Sequence, residues 1–204
     1  MRSPRLVVVA VLLGACAVRA QTMPQPDGSL GVRLGVESFG PPVVVVDATF
    51  DSLAMGALEH VKPVAQARLD LHGRVVALLG GAVLEQRFGE RLFLREAVQL
   101  GPFVATVDDV AIGARAGLLA QVGYDLGDAF TIAAGPELVP VVAFDTSAGG
   151  GIDGRLGCAL GGVVRWFVVP RAAATLTLSG GYDLGGRGAG AVTGVALLGA
   201  VVDW

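Results

Sequence analysis

Charged residues are scarce in this sequence, and that scarcity sets the first limit on the fold. Only 16% of the 204 residues are Asp, Glu, Lys or Arg, whereas soluble globular domains carry roughly 25%. Hydrophobic residues make up 53% of the chain, which is long enough for one domain but not for two. A soluble domain of this size could not cover its surface with so few charges. Much of the surface is therefore expected to face something other than water.

Cysteine and basic side chains are scarce as well, and each shortage excludes a class of function. The two cysteines are Cys16 and Cys158, and removal of residues 1–20 as a signal peptide would leave only Cys158. An internal disulfide and a cysteine-based metal site are then excluded. The formal net charge is −3 and becomes −6 without the three arginines of residues 1–20. With no Lys/Arg run in the rest of the chain, the sequence argues against a nucleic-acid partner.

The first twenty residues have the organisation of a bacterial secretion signal. Arg2 and Arg5 form a basic start, and residues 6–18 form an apolar core too short to span a bilayer as a helix. Val18-Arg19-Ala20 then places small residues where a signal peptidase cleaves. We expect cleavage after Ala20, which leaves residues 21–204 as the mature domain. The alternative is lipidation at Cys16, because Leu13-Gly14-Ala15-Cys16 resembles a lipobox.

Long hydrophobic runs are also absent beyond residue 20. No stretch there contains 18 or more apolar residues, so the sequence predicts no transmembrane helix. A chain this apolar must then either bury a large core or face lipid with its strands. Residues 110–125 favour strands, because every second residue is apolar and the residues between are small or polar, including Arg115 and Asp125. The apolar face consists of Val110, Ile112, Ala114, Ala116, Leu118, Ala120, Val122 and Tyr124.

The same two-residue period recurs in residues 29–38, 64–72 and 155–169. A soluble antiparallel sandwich or barrel is the alternative, since its strands also alternate. The polar face of a soluble protein would be rich in Lys and Glu, whereas here it is mostly Gly, Ala and Thr. Such small residues are typical of a narrow barrel interior. The sequence therefore predicts an all-β, transmembrane, antiparallel up-and-down barrel.

Only twelve residues are aromatic, and most of them lie near the ends of the predicted strands. Membrane barrels carry aromatic girdles at both interfaces, where an amphipathic ring contacts the lipid headgroups. We therefore assign these residues to the two girdles. They are Phe39, Phe88, Phe93, Tyr124, Phe130, Phe144, Trp166, Tyr182 and Trp204.

The last strand carries a family resemblance. Residues 191–204 end on Trp204, with Val202 two residues before it and Gly199 five residues before it. This ending resembles the C-terminal signal of outer-membrane barrels, although Leu197 is apolar where that pattern prefers a polar residue. With the signal peptide and the repeated strands, the whole mature chain resembles the small OmpA- or OmpX-like barrels. The resemblance implies an outer-membrane location, a periplasmic C-terminus, and recognition of the last strand by the barrel-assembly machinery.

Counting strands backwards from a periplasmic C-terminus gives ten. The predicted spans are 29–38, 43–50, 61–72, 74–86, 93–106, 110–125, 129–144, 155–169, 172–183 and 191–204. Single-chain bacterial barrels have even strand numbers, so eight strands is the alternative if the first pair lies outside. Residues 51–60 would form a long periplasmic connection. The turns at 86–91, 126–128 and 169–172 would also be periplasmic. The connections at 72–73, 106–109, 145–154 and 184–190 would face outward.

Prolines argue against this count. Pro63, Pro102, Pro136 and Pro140 fall within or near predicted strands, and proline cannot donate a ladder hydrogen bond. A closed barrel has no edge strand on which such a residue would be harmless. Pro102 and Pro140 fit least well.

Few residues could carry chemistry. Asp70 and His72 share an inward face, and a carboxylate beside an imidazole could serve a hydrolase, but the nearest serine is Ser52 and no Gly-x-Ser-x-Gly motif occurs. Residues 145–154 offer oxygen ligands for calcium without EF-hand spacing. Residues 184–190 are glycine-rich but lack the Lys-Ser/Thr of a phosphate-binding loop. We expect no catalytic, cofactor-binding or metal-binding residues.

Charged residues on the inward faces form the most informative group. They are Arg33, Glu37, Arg68, Asp70, Arg115, Glu137, Arg155 and Arg165. An isolated charge in a narrow barrel is costly, so we expect Arg115 and Arg165 to pair with Glu137 or Asp70 and to close the lumen. The sequence thus favours a non-enzymatic outer-membrane barrel with a structural or surface-interaction role. A small passive channel and a hydrolase that uses His72 are the alternatives.

Overall fold

The chain forms one sheet that closes on itself. In a computed structural model, the described residues are 28–37, 42–50, 61–72, 74–106, 110–146, 150–185 and 190–204. Each strand pairs antiparallel with its neighbours in the chain, and β1 pairs with β10. The strands are β1 (Ser29–Glu37), β2 (Pro42–Thr49), β3 (Val61–Asp70), β4 (Val75–Phe88), β5 (Leu92–Thr106), β6 (Val110–Leu126), β7 (Phe130–Asp145), β8 (Ile152–Val169), β9 (Ala172–Leu184) and β10 (Val192–Asp203).

The predicted ten-stranded, antiparallel up-and-down barrel is therefore confirmed, and the eight-stranded alternative is wrong. None of the described residues forms a helix that is long and apolar enough to cross a membrane. The predicted signal peptide, residues 1–20, and the predicted connection at 51–60 lie outside the described residues.

The barrel closes at the seam between β1 and β10. The seam register runs without interruption from Ser29 opposite Asp203 to Glu37 opposite Val195. Beyond it, the Gly28 N–H donates to the Trp204 carbonyl at 3.3 Å, and the Trp204 N–H donates to the Gly28 carbonyl at 3.0 Å. A Cβ on Gly28 would lie 2.6 Å from the Trp204 ring, so the ring covers a residue that has no side chain.

The strands are staggered around the barrel. From Arg33, the paired residues lead through β2, β3, β4 and β5 to Gly113 on β6. In the other direction they lead through β10, β9, β8 and β7 to Asp125 on the same strand. The difference between positions 125 and 113 is a stagger of 12 residues. Such a stagger tilts the strands against the barrel axis and brings together residues that are far apart in the chain.

The two rims of the barrel differ in their connections. The terminal rim holds Gly28, Trp204 and the turns at 89–91, 127–129 and 170–171, where Gly89 and Gly127 adopt positive φ. The opposite rim, which we call the loop rim, is the one at which β1, β3, β5, β7 and β9 end. The turns predicted to be periplasmic therefore share one rim, and those predicted to face outward share the other. The connection predicted at 145–154 is shorter than expected, because β8 already begins at Ile152.

Aromatic side chains line the outside of both rims, as predicted, with one correction. Phe93 was assigned to a girdle and instead points inward, where it is 1% exposed, because Leu92 and Leu94 occupy the outward positions at the start of β5. Phe39 lies outside the described residues. The loop rim carries Phe144 and Tyr182. The terminal rim carries Phe50, Phe88, Tyr124, Phe130, Trp166 and Trp204, and the rings of Phe130 and Trp166 stack with their centroids 6.1 Å apart.

The prolines fit the closed sheet because the ladder with one neighbouring strand is interrupted at Pro102, Pro136 and Pro140. The β4–β5 register omits Pro102, and the β6–β7 register omits Pro136 and Pro140. On their other side all three stay in register, with β6 or with β8. Pro63 pairs with Ala82, and its carbonyl accepts the Phe50 N–H at 2.9 Å. The missing N–H of each of these three prolines is thus tolerated, because the ladder beside it omits two residue pairs there.

Inward glycines let neighbouring strands approach closely. Gly101 and Gly135 each precede one of these prolines, and a Cβ at either would lie 1.8 or 1.9 Å from the carbonyl oxygen of Leu78 or Ala120. Real side chains do not reach such distances, so the carbonyl occupies the space that any other residue would need. Five more inward glycines have a neighbouring carbonyl oxygen within 2.1 Å of the Cβ position. They are Gly35, Gly81, Gly113, Gly181 and Gly199.

Closure of the sheet predicts heat-modifiable mobility in SDS. A ladder with no free edge resists the detergent at room temperature, whereas boiling unfolds the chain. We expect the unboiled outer-membrane fraction of cells that express the full chain to show a band displaced from the boiled band. Equal mobility of the two samples would contradict a closed barrel.

Candidate functional site

The lumen is the candidate functional site, because it holds most of the charged side chains of the strands. All eight residues predicted to point inward do so. Their oppositely charged partners come from several strands, and the ion pairs lie at three levels between the loop rim and the terminal rim.

The level nearest the loop rim is built around Glu37 at the end of β1. Arg68 Nη2 on β3 lies 2.9 Å from Glu37 Oε2, and Arg115 Nη2 on β6 lies 3.1 Å from Glu37 Oε1. In a ring of ten strands, β6 is five strands from β1 in either direction, so the Arg115–Glu37 pair crosses the lumen. Each carboxylate oxygen accepts a charge-assisted hydrogen bond from a different guanidinium, which fixes all three side chains.

The middle level joins three strands through Arg33. Arg33 Nε donates to Asp47 Oδ1 on β2 at 3.0 Å, and Arg33 Nη1 donates to Thr177 Oγ1 on β9 at 3.2 Å. Val45 and Leu197 pack beside this level and are nearly inaccessible to solvent. The lumen is therefore filled by apolar as well as charged side chains here.

The level nearest the terminal rim is built around Glu85 on β4. Arg95 on β5 donates to Glu85 at 2.8 Å, and Arg87 donates to it at 3.2 Å and to Asp125 on β6 at 2.9 Å. The guanidinium groups of Arg87 and Arg95 lie over the Phe93 ring, 5.6 and 5.5 Å from its centroid, so the ring adds cation–π attraction.

Arg165 on β8 lies deep in the lumen near this level. The charges that act on it come from four strands, those of Arg95, Asp203, Glu85 and Asp47. Its Nε is buried and, among the described residues, has no hydrogen-bond partner. The same holds for Thr175 Oγ1, which belongs to the residue opposite Arg165 on β9, and for Asp203 Oδ1. Arg165 is thus held by surrounding charge more than by directed hydrogen bonds.

The ion pairs predicted from the sequence are wrong. Arg115 pairs with Glu37, not with Glu137 or Asp70, and the acidic residues whose charges act on Arg165 are Asp203, Glu85 and Asp47. Glu137 does point inward, where its carboxylate lies beside Gly161. The prediction failed because the stagger of the barrel determines which residues face each other across the lumen. The spacing of residues along the chain does not reveal that stagger.

Sequence reasoning also missed further charged residues of the lumen, among them Asp47, Glu85, Arg87, Arg95 and Asp203. The two-residue period of β4 was the signal that could have found Glu85 and Arg87, because both share a face with Ala77 and Leu79.

The other predicted features, the Asp70–His72 pair and the acidic connection after β7, lie at the loop rim. The Asp70 carboxylate accepts the His72 backbone N–H at 2.8 Å and lies 3.4 Å from His72 Nδ1, so it closes the turn after β3. More than half of the His72 side chain is exposed, and Ser52 lies outside the described residues. No group of three or more potential metal ligands occurs among the described residues, which include Asp145 and Asp153.

No protein-family model matches this chain, and no curated protein matches it. Among solved structures it is similar to one titled "OmpT (in-vitro folded), an outer membrane protein of Vibrio cholerae". The TM-score is 0.32 and the sequence identity is 11%, over 87% of this chain and 96% of that chain. The fold assignment therefore depends on the closed register of the chain itself. The resemblance to OmpA- or OmpX-like proteins is confirmed only as barrel architecture, and the family stays a prediction.

Replacing Glu37 tests the loop-rim level. Glu37→Ala removes the carboxylate that two arginines share, and breaking a buried ion pair costs about 3–5 kcal/mol when the uncompensated charge stays dry. We expect the free energy of unfolding, measured with urea for the barrel in lipid vesicles, to fall by about that amount. Glu90→Ala in the exposed turn at 89–91 is the matched control and should change it by about 0.5 kcal/mol or less. Equal stability of the two variants would mean that water screens the Glu37 pairs.

Proposed function

We propose that this chain is a non-enzymatic outer-membrane barrel with a structural or surface-interaction role, and that side chains close its lumen to ions. The observation that carries the proposal is the division of charge between the two faces of the sheet. Among the described strand residues that face outward, Glu96 alone carries a formal charge, whereas the inward faces hold the ion pairs.

The apolar outward face supports a location in a lipid bilayer. The exposed fractions of Leu78, Leu100 and Leu160 are 58%, 62% and 67%, and most other outward positions are aliphatic or aromatic. In water such a surface would be a large exposed apolar patch, which soluble monomers avoid. In a bilayer the same surface is favourable, and the closed ladder satisfies the backbone without water. The aromatic side chains at both rims are those expected at the two lipid interfaces.

The cross-lumen contacts support a closed lumen. Ten strands leave an interior only slightly wider than side chains can fill. The Arg115–Glu37 pair spans it near the loop rim, and Arg165 with Phe93 occupies it towards the terminal rim. An ion that entered would have to displace charge-assisted hydrogen bonds at more than one level.

The last strand supports delivery by the barrel-assembly machinery. β10 ends beside Trp204, and its pairing with β1 is the last step needed to close the ring. The resemblance of this ending to the outer-membrane signal implies that the terminal rim faces the periplasm and the loop rim faces outward.

Conductance in planar bilayers tests the closed lumen. The wild-type barrel should show no steady conductance, because the side chains of the three levels fill the path. Arg115→Ala removes the pair that crosses the lumen and should introduce a measurable leak, whereas Arg91→Ala in the exposed turn at 89–91 should not. Steady conductance of the wild type would favour a small passive channel instead.

Deleting Trp204 tests the assembly step. The truncated chain loses both the backbone hydrogen bonds to Gly28 and the ring at the interface. We expect a several-fold drop in the outer-membrane level, with the protein degraded or left in the periplasm, measured by fractionation and immunoblotting. Substitution of Trp204 by Phe should restore most of the level. A normal level of the truncated chain would show that this residue is not read during assembly.

A further inference from the structure

Arg165 differs from the other arginines deep in the lumen, because its Nε–H has no acceptor among the described residues. The acidic residues whose charges act on it are engaged elsewhere in two cases. Glu85 accepts a hydrogen bond from Arg95 at 2.8 Å, and Asp47 accepts one from Arg33 at 3.0 Å. A guanidinium N–H that is removed from solvent and left without an acceptor is costly, so a partner is expected at this position.

Two further side chains in the same region lack a partner. Thr175 lies opposite Arg165 in the β8–β9 ladder and is 2% exposed, and its Oγ1 is unpartnered. Asp203, whose charge acts on Arg165, is 8% exposed, and its Oδ1 is unpartnered. These are the three buried side-chain atoms without a hydrogen bond in the described part of the chain, and all three lie towards the terminal rim. Such atoms are rare in folded proteins, so their clustering points to a shared partner.

The protein surface between these atoms cannot supply that partner. The inward residues between Thr175 and Asp203 are Ala173 on β9 and Val201 on β10, which are partners in the ladder. They are 3% and 4% exposed, and neither side chain can donate or accept a hydrogen bond.

The other side of Arg165 offers no partner either, although it leaves room for one. Thr131 is its ladder partner on β7, and the Thr131 hydroxyl already donates to Asp125 Oδ1 at 2.7 Å. Arg165 as a whole is only half-buried, so a molecule the size of water reaches part of its surface although its Nε is covered.

The partner that these atoms require must both accept and donate. Arg165 Nε–H is a donor, a carboxylate oxygen such as Asp203 Oδ1 is an acceptor, and the Thr175 hydroxyl can be either. An anion would leave the carboxylate oxygen unsatisfied, and a cation would leave the guanidinium N–H unsatisfied. Water accepts and donates, and a buried water in a protein typically makes about three hydrogen bonds to polar groups that otherwise lack a partner.

We propose that ordered water molecules lie in the lumen between Arg165, Thr175 and Asp203 and bridge these three side chains. The inference goes beyond the proposed function, because it distinguishes the levels of the lumen by how their charges are joined. The Arg33–Asp47 and Arg68–Glu37 pairs are direct, whereas Arg165 reaches its carboxylate through water, which holds a charged group nearly as well as a direct hydrogen bond.

Magnetisation transfer from water to individual arginine Nε–H groups tests this site. The barrel is purified from cells that express the full chain with isotope-labelled arginine, and it is measured by proton-detected NMR in lipid vesicles. Arg33 is the matched control within the chain, because its Nε donates directly to a carboxylate oxygen. Arg165→Lys and Arg33→Lys each remove one signal and thereby assign it.

We expect transfer to the Arg165 Nε–H to be several-fold faster than transfer to the Arg33 Nε–H. Thr175→Val removes one of the bridging groups at nearly constant volume and should at least halve the rate at Arg165, whereas Thr175→Ser keeps the hydroxyl and should preserve it. Unchanged transfer in Thr175→Val, with the barrel still heat-modifiable, would overturn the assignment of Thr175 to the water site.

Equal transfer at Arg165 and Arg33 would overturn the inference in either of two ways. Slow transfer at both would mean that the lumen is dry at Arg165 as well. Fast transfer at both would mean a continuous column of water, which the conductance of the wild-type barrel reveals independently. Fast transfer at Arg165 alone, in a barrel that conducts, would support the water site and contradict only the closed lumen of the proposed function.

Discussion

The closed backbone ladder is the constraint on which the rest of this structure depends. In the lipid bilayer proposed above, a sheet whose outward face is apolar cannot leave an edge unpaired, because lipid supplies no hydrogen bonds to it. The seam between β1 and β10, extended by the Gly28–Trp204 hydrogen bonds, removes that edge. Once the ring is closed, the stagger, the tilt and the identity of the residues that meet across the lumen are all set together.

Ion pairs in the lumen follow from this closure. Ten strands with a stagger of 12 residues bring β1 opposite β6, so Glu37 reaches Arg115 across the interior, although 78 positions separate them in the chain. Arginine suits these positions, because its planar fork can hold two acceptors at once, as Arg33 does with Asp47 and Thr177. The charges thus connect walls that the backbone ladder alone would not join.

The sequence was sufficient for the faces of the sheet but not for the contacts across it. Alternation in β6 and β8 correctly placed Arg115 and Arg165 inside, since a two-residue period depends only on local geometry. Their partners depend on the stagger, a property of the whole ring. The prediction for the start of β5 failed for a different reason. Glu96 breaks the apolar alternation there, so the inward positions of Phe93 and Arg95 were not apparent from the pattern.

Inward glycines give the lumen a second kind of lining. At seven of them a carbonyl oxygen from the next strand lies within 2.1 Å of the place that a side chain would take, and that place is on the lumen side of the sheet. These oxygens carry partial negative charge and add hydrogen-bond acceptors to the lumen side of the sheet. Guanidinium groups, with five N–H donors each and no acceptor, are the side chains that such an interior stabilises best.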